Sequence, residues 1–339
     1  MSSVTVLPQT IEAIMNHYAP HLEGCRDRIL TDVKQIPGTA VLAEYFQGGK
    51  MFRALLAFVS ASALGIEPRK MIPVASALEL LHGASLIHDD MVDEAAERRG
   101  HPALHVQMGI GPALILGDYL ILRAFTVLQE SHPVYGSEKV SEASHTLNHY
   151  AQLCCLGELH ELVPTGEGNS EDEYLTIVQG KTASQFAAAV TLPAIVGGGT
   201  SREIEALRTY GLNVGIAFQI QDDVLDIVED TGLLRTPVGI GLAKERLLLP
   251  VIYLERYGSP TALRQYRRVL QAEVGRSVQL VALLKEEGIW DRIQVTQDRY
   301  VSAALQALER LRPSDARANL SVLATYAVHH HTEHPDDPN

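Results

Sequence analysis

Residues 71–93 read MIPVASALELLHGASLIHDDMVD, an apolar run at helical spacing that closes on three carboxylates, Asp89, Asp90 and Asp93. Its apolar residues cover more than one face, the pattern of a helix buried on most sides. Within it Glu79, His82, Asp89 and Asp93 follow at intervals of three, seven and four residues, which keeps them near one side. Such a stripe either faces solvent or lines a cavity, because an isolated buried carboxylate costs on the order of several kcal/mol. Taken alone, one acidic stripe favours the solvated face.

A second stripe changes the balance. In GLNVGIAFQIQDDVLDIVED, residues 211–230, Gly215, Gln219, Asp222 and Asp226 recur at four, three and four among Phe218, Ile220, Val224, Leu225 and Ile227. Both helices end in Asp-Asp-x-x-Asp. Two such patterns on two core helices suggest facing sets of hard oxygen ligands across a cavity. Oxygen donors without His or Cys favour Mg²⁺, which keeps several waters and completes its sphere with phosphate oxygens, so the implied ligand is a diphosphate. Basic residues stand where a diphosphate needs them: Lys50 and Arg53 after a Gly-Gly turn, Arg98 and Arg99 past the first stripe, and Lys181 near midchain. Each of these, singly, reads as a surface charge before it reads as a ligand.

The rest of the chain agrees with an all-α fold. VLAEYFQGGKMFRALLAFVSASALG (41–65) and GPALILGDYLILRAFTVLQE (111–130) carry wide apolar helical faces between Gly and Pro breaks, whereas short alternating β-branched runs are scarce. We expect about a dozen helices in a single large helical bundle with a central cavity, spanning 1–328, with 329–339 a polar, disordered tail. The helices at 71–92 and 203–228 should lie at its centre. HPVYGSEKV (132–140) and VPTGEGNSEDE (163–173) read as surface connections. His329, His330, His331 and His334 in the tail lack a fixed frame for a metal.

Composition narrows the function classes. Of 339 residues, 46% are hydrophobic and 20% charged, a globular balance. A net charge of −13 opposes binding to nucleic acid or to an anionic membrane surface. Three cysteines, two of them the adjacent Cys154 and Cys155, form neither a disulfide framework nor a zinc spacing. No uninterrupted apolar run reaches bilayer length and the N-terminus lacks a signal layout, so we expect no transmembrane segment and a cytoplasmic location.

From about Leu30 to Tyr326 the chain resembles the trans-type polyprenyl diphosphate synthases. The resemblance rests on GGKMFR at 48–53, ELLHGASLIHDDMVDEAAERRG at 79–100, GDYLILRAF at 117–125, KTA at 181–183 and FQIQDDVLDIVED at 218–230. It implies the all-helical isoprenoid synthase fold, usually a homodimer, binding an allylic diphosphate and isopentenyl diphosphate. By matching position, it implies Mg²⁺ held by Asp89, Asp93 and Asp222 with Asp90, Asp223 and Asp226 in support. Arg98 and Lys181 would add charge to the allylic diphosphate. Lys50, Arg53, His82 and Arg99 would receive isopentenyl diphosphate, and Thr182 and Gln219 would flank the reacting carbons.

Some positions depart from the family pattern. Met51 stands where an arginine is common, and Arg235-Thr236-Pro237-Val238-Gly239-Ile240-Gly241 replaces a stretch that usually carries a lysine and an acid, with Arg246 where a later lysine is common. Two other readings therefore stay open: a noncatalytic subunit of a heteromeric synthase, and a class I terpene cyclase, against which the second aspartate set argues. In this family the depth of an apolar tunnel below the first aspartate motif sets product length. Ala84 and Ser85, five and four residues before Asp89, are small, and Leu81 and Phe125 are candidate floor residues. That pattern implies geranylgeranyl diphosphate or a longer all-trans product.

Overall fold

Helix α1 (Ile11–Val33) shows how the sequence makes the bundle. Thr10 caps it, its Oγ1 accepting from the Ala13 N–H at 3.2 Å. Ile14, Tyr18, Leu22, Cys25, Ile29 and Val33 are buried, a row at spacings of three and four. The chain continues through α2 (Ala40–Gln47), α3 (Phe52–Ala63), α4 (Ile72–Val92), α5 (Leu104–Met108), α6 (Ile110–Gln129), α7 (His132–Tyr135), α8 (Ser137–Leu162), α9 (Glu171–Val178), α10 (Ser184–Gly197) and α11 (Ser201–Val228). After them come α12 (Leu249–Tyr257), α13 (Pro260–Leu270), α14 (Arg276–Glu286), α15 (Ile289–Leu308) and α16 (Asp315–Tyr326). This computed structural model describes residues 10–36, 40–163, 170–228, 247–271 and 276–328.

The all-α expectation is met, with a two-stranded hairpin as the exception among the described residues. Strands β1 (Glu97–Arg98) and β2 (His101–Pro102) pair antiparallel around Arg99 and Gly100, whose φ values of 53° and 74° are those of a two-residue reverse turn. Residues 132–140 are also more ordered than a surface connection: they form α7 and the first turn of α8.

Two hydrophobic clusters make the core. The larger joins α1 to α6, α8, α10, α11, α15 and α16; the smaller joins α9 and α11 to α15, so α11 and α15 contribute buried residues to both, and Leu212 of α11 packs against both. Helix α4 packs against α1, α3, α6 and α10, so the 71–92 segment is central. The α10 sequence SQFAAAVTLPAIVG is buried still more completely, every residue from Phe186 to Val196 being buried. Among the described residues two segments, Pro68–Val92 and Ile110–Tyr135, are long and apolar enough to cross a bilayer by length and composition, a test that a bundle's core helix passes equally. Their polar interruptions hid them from a count of uninterrupted residues, and the place of α4 inside the bundle accounts for its apolarity.

One carboxylate of the first stripe supports the fold itself. Helix α3 starts from Met51 in a left-handed conformation (φ 48°, ψ 47°) with no side-chain cap of its own. Buried Glu79 of α4 serves instead, its Oε1 accepting from the Ala54 N–H at 2.8 Å, and burial raises its pKa. Glu79→Ala leaves that N–H unsatisfied and should destabilise the protein by about 1–3 kcal/mol. A fall in the urea midpoint at constant m value is the check, and an unchanged midpoint would remove the capping role.

Candidate active site

The Gly48-Gly49 turn between α2 and α3 is held from two sides. Arg26 of α1 donates to the carbonyls of Phe46 (3.1 Å), Gln47 and Gly49 (3.4 Å). On the other side lies the Arg99 guanidinium from the hairpin. Gly49 has φ +90°, and a Cβ there would stand 2.7 Å from Arg99 Nη1. The backbone conformation therefore favours glycine, and any larger residue would displace the Arg99 guanidinium. Lys50 follows, donating to the Tyr326 hydroxyl at 3.3 Å, and Met51 turns into the core at 8% exposure. Buried Met51 thus contributes packing at a position where the resemblance leads one to expect an arginine.

One turn into α3, Arg53 lies over the Phe186 ring at 5.3 Å, and its buried Nε makes no hydrogen bond among the described residues. Burial pushes its pKa down to about 10, against the opposing charges of Glu79 and Asp222. His82 of α4 shares this environment. Burial first, then the charges of Arg53, Arg99 and Arg98, depress its pKa well below the ordinary value, so it is neutral at physiological pH. Its Nδ1 makes no hydrogen bond among the described residues. The structure thus brings Arg53, His82 and Arg99 into one electrostatic neighbourhood, with Lys50 following the Gly-Gly turn and Arg99 lying against it.

At the end of α4, Asp90 is 2% exposed and both its oxygens accept from Arg98 Nε, at 2.7 and 2.8 Å. Burial raises the Asp90 pKa while Arg98 lowers it. The hairpin places Arg98, returning it to the helix end, with Nη2 also 3.6 Å from Asp89 Oδ2. Asp89 Oδ1 is buried and makes no hydrogen bond among the described residues, its neighbour being Lys181 Nζ at 3.4 Å. Asp93 stands just past the last residue of α4, and its N–H donates to the Asp89 carbonyl at 2.8 Å.

Lys181 and Thr182 link this end to the second stripe. They lie in a π-helical turn, Gln179–Ala183, joining α9 to α10. Lys181 Nζ meets Glu161 Oε2 at 2.7 Å and Glu158 Oε2 at 2.8 Å, both on α8. Thr182 Oγ1 donates to Gln219 Oε1 at 2.6 Å, and Gln219 Nε2 donates to Asp223 Oδ1 at 3.0 Å. Asp223, 4% exposed, also accepts from the Leu249 N–H at 3.3 Å. Burial raises its pKa to about 7, with Gln219, Tyr174 and the Leu249 amide opposing. Asp222 and Asp226 are half-buried on the same helix.

The donor set suits a hard divalent cation completed from outside the protein. Asp89 retains a buried oxygen without a hydrogen bond, whereas Asp90 is committed to Arg98. Among the described residues no three His, Cys, Asp or Glu side chains converge into a closed metal cage. Carboxylates of this kind hold Mg²⁺ together with waters and phosphate oxygens rather than enclosing it. Residues 235–241 and Arg246 lie outside the described residues, as do the four tail histidines.

Glu158, Glu161 and Gln185 were not identified from the sequence. Gln185 donates to the Lys181 carbonyl at 3.1 Å and to Cys154 Sγ at 3.3 Å. The available signal was the spacing of Glu158 and Glu161, three residues apart on α8, but nothing local links them to a lysine twenty residues on. Of the chain-length residues, Ala84 is fully buried, Leu81 and Ser85 are half-buried, and Ser85 Oγ donates to the His82 carbonyl at 2.8 Å. Phe125 packs against the main core from one side. On the other it lines an open depression of about 440 Å³ with Ser141, Ser144, His145 and Asn148 of α8.

The architecture is that of the all-helical prenyl synthases. The chain superposes with TM-score 0.83 on a polyprenyl synthase from Caulobacter crescentus solved with calcium and isoprenyl diphosphate, at 28% identity over 95% of this chain and 98% of that one. A family model described as Polyprenyl synthetase matches residues 38–286. A short chain isoprenyl diphosphate synthase of Methanothermobacter thermautotrophicus is 35% identical over 93% of this chain and 98% of its own length. An octaprenyl diphosphate synthase of Haemophilus influenzae is 30% identical over 94% and 97%. The chain belongs to the polyprenyl synthetase family; its activity is that of a polyprenyl diphosphate synthase, a prenyltransferase of isoprenoid biosynthesis.

Proposed function

We propose that this enzyme condenses isopentenyl diphosphate with an allylic diphosphate, in the presence of Mg²⁺, to give all-trans geranylgeranyl diphosphate or a longer polyprenyl diphosphate. The carrying observation is the pair Lys181–Thr182: one side chain reaches Asp89 of the first stripe, the next reaches Gln219 and through it Asp223 of the second. Asp89, Asp93 and Asp222, with Asp90, Asp223 and Asp226, are the residues that would hold Mg²⁺. The metal supplies positive charge to a departing diphosphate.

The chain's own residues account for the rest. Lys181 and Arg98 stabilise charge that develops on the allylic diphosphate as its carbon–oxygen bond breaks. Thr182 and Gln219 turn hydroxyl and amide oxygens toward the carbocation, where buried apolar walls exclude the water that would capture it. Lys50, Arg53 and Arg99 bind isopentenyl diphosphate, with neutral His82 beside them. Its double bond forms the new carbon–carbon bond, and the proton then lost goes to the departed diphosphate.

Small Ala84 and Ser85 below the first motif support a C20 or longer product. The two relatives above, short chain and octaprenyl, span the range that this tunnel decides. Dimerisation belongs to the same reading and is supported by Ile110, Leu114, Ile115, Tyr119 and Leu122, an exposed apolar row on α6. A cytoplasmic location belongs to the same reading.

The test is incubation of purified protein with Mg²⁺, isopentenyl diphosphate and each of dimethylallyl, geranyl and farnesyl diphosphate, with product mass read by liquid chromatography. A ladder ending at C20 or beyond is expected. No elongation from any primer would support the noncatalytic subunit, and cyclised hydrocarbon the cyclase. A second variant probes the isopentenyl site: Gly49→Ala imposes a side chain at φ +90° against Arg99. It should raise KM for isopentenyl diphosphate about tenfold and cost about 1 kcal/mol of stability. An unchanged KM would detach the Gly-Gly turn from that substrate.

A further inference from the structure

Lys181 is the meeting point of three carboxylates from two helices. Glu158 and Glu161 of α8 lie 2.8 and 2.7 Å from its ammonium and Asp89 of α4 lies at 3.4 Å, all four side chains being 15–24% exposed. The backbone is built to allow this. A Cβ on Gly157 would stand 2.4 Å from the Lys181 nitrogen, and one on Gly180 would stand 2.7 Å from the Leu153 carbonyl oxygen. Two glycines thus let the π turn lie directly on α8, one residue before Glu158. With the stem of Lys181 fixed by that contact, Glu158 and Glu161, one helical turn apart, both reach its ammonium.

We propose that Glu158 and Glu161 are positioning residues for the elongation reaction, a two-carboxylate clamp that holds the Lys181 ammonium beside Asp89 before diphosphate arrives. A lysine head on a four-carbon stem otherwise samples many rotamers, and fixing it in advance moves that ordering out of the binding step. The assignment of Lys181 to the allylic diphosphate on which this rests is that of the proposed function above.

Two measurements separate the clamp from that reading. The first is the rate of reductive methylation of Lys181, followed by mass spectrometry of its peptide without substrate. Glu158→Gln and Glu161→Gln should each raise it several-fold, and Glu161→Asp should restore slow labelling. Equal rates in all variants would overturn the clamp, whatever the enzyme's activity. The second is steady-state kinetics. Each glutamine variant should lower kcat about tenfold and raise KM for the allylic primer, leaving KM for isopentenyl diphosphate within twofold.

Combined with Lys181→Ala, the glutamine changes should have no further effect on kcat. Full additivity, or a parallel change in both KM values, would overturn the positioning role. If the unaltered enzyme elongates no primer while the labelling behaves as expected, the reaction assigned to the site is wrong and the positioning role falls with it, although the lysine is clamped.

Discussion

Asp89→Asn should lower the elongation rate about 10³-fold with the fold intact. Asparagine is isosteric, so packing at the end of α4 is kept. What is lost is one negative charge at a carboxylate whose buried Oδ1 accepts no hydrogen bond among the described residues and lies 3.4 Å from Lys181 Nζ. Asp90→Asn is a contrasting variant. Its carboxylate is taken up by Arg98, so its loss should act through displacement of the hairpin and reduce stability as well as rate. The check is kcat together with Mg²⁺-dependent binding of inorganic pyrophosphate by calorimetry and thermal unfolding. If Asp89→Asn keeps its rate within tenfold, Asp89 is not at the diphosphate.

The second large effect is on product length. Ser85→Phe should shorten the product by at least one isoprene unit, shifting a C20 or longer ladder toward C15, because phenyl bulk one turn before Asp89 closes the apolar tunnel below the aspartates. Ala84→Phe should do the same. The two positions differ physically: Ala84 is fully buried, Ser85 half-buried. If Ala84 faces a tunnel, phenylalanine enters it at little cost in stability. If it faces solid core, overpacking costs about 1–3 kcal/mol and product length stays put. Product mass and urea midpoint, measured on the same variants, separate the cases, and unchanged length in both variants would remove the tunnel from beneath α4.

Part of the site was legible because helical periodicity carries it. Asp89 and Asp93, or Gln219, Asp222 and Asp226, fall on one side of a helix by spacing alone, and an apolar surround identifies those helices as core. Other parts depend on long-range contact. Glu79 belongs to the same stripe as Asp89, yet it caps α3, a role visible only once the Ala54 N–H is seen to end there. Arg98 was expected at a diphosphate; its guanidinium is turned back onto Asp90 by a hairpin that the all-α reading did not include. Met51 marked a missing arginine, and in the fold it is a core residue at a left-handed position.

The sequence by itself determined the all-helical bundle, the identity of the two acidic helices and the family, since each rests on local periodicity or on ordered motifs. Only the tertiary structure decided which charges meet. Glu158 and Glu161 reach Lys181 because Gly157 and Gly180 let two backbones touch, and Thr182 reaches Gln219 because a π turn aims consecutive side chains at different helices. Spacing along one helix fixes angles on that helix alone; the distance between side chains on different helices is set by how closely their backbones pack, and no local pattern encodes it.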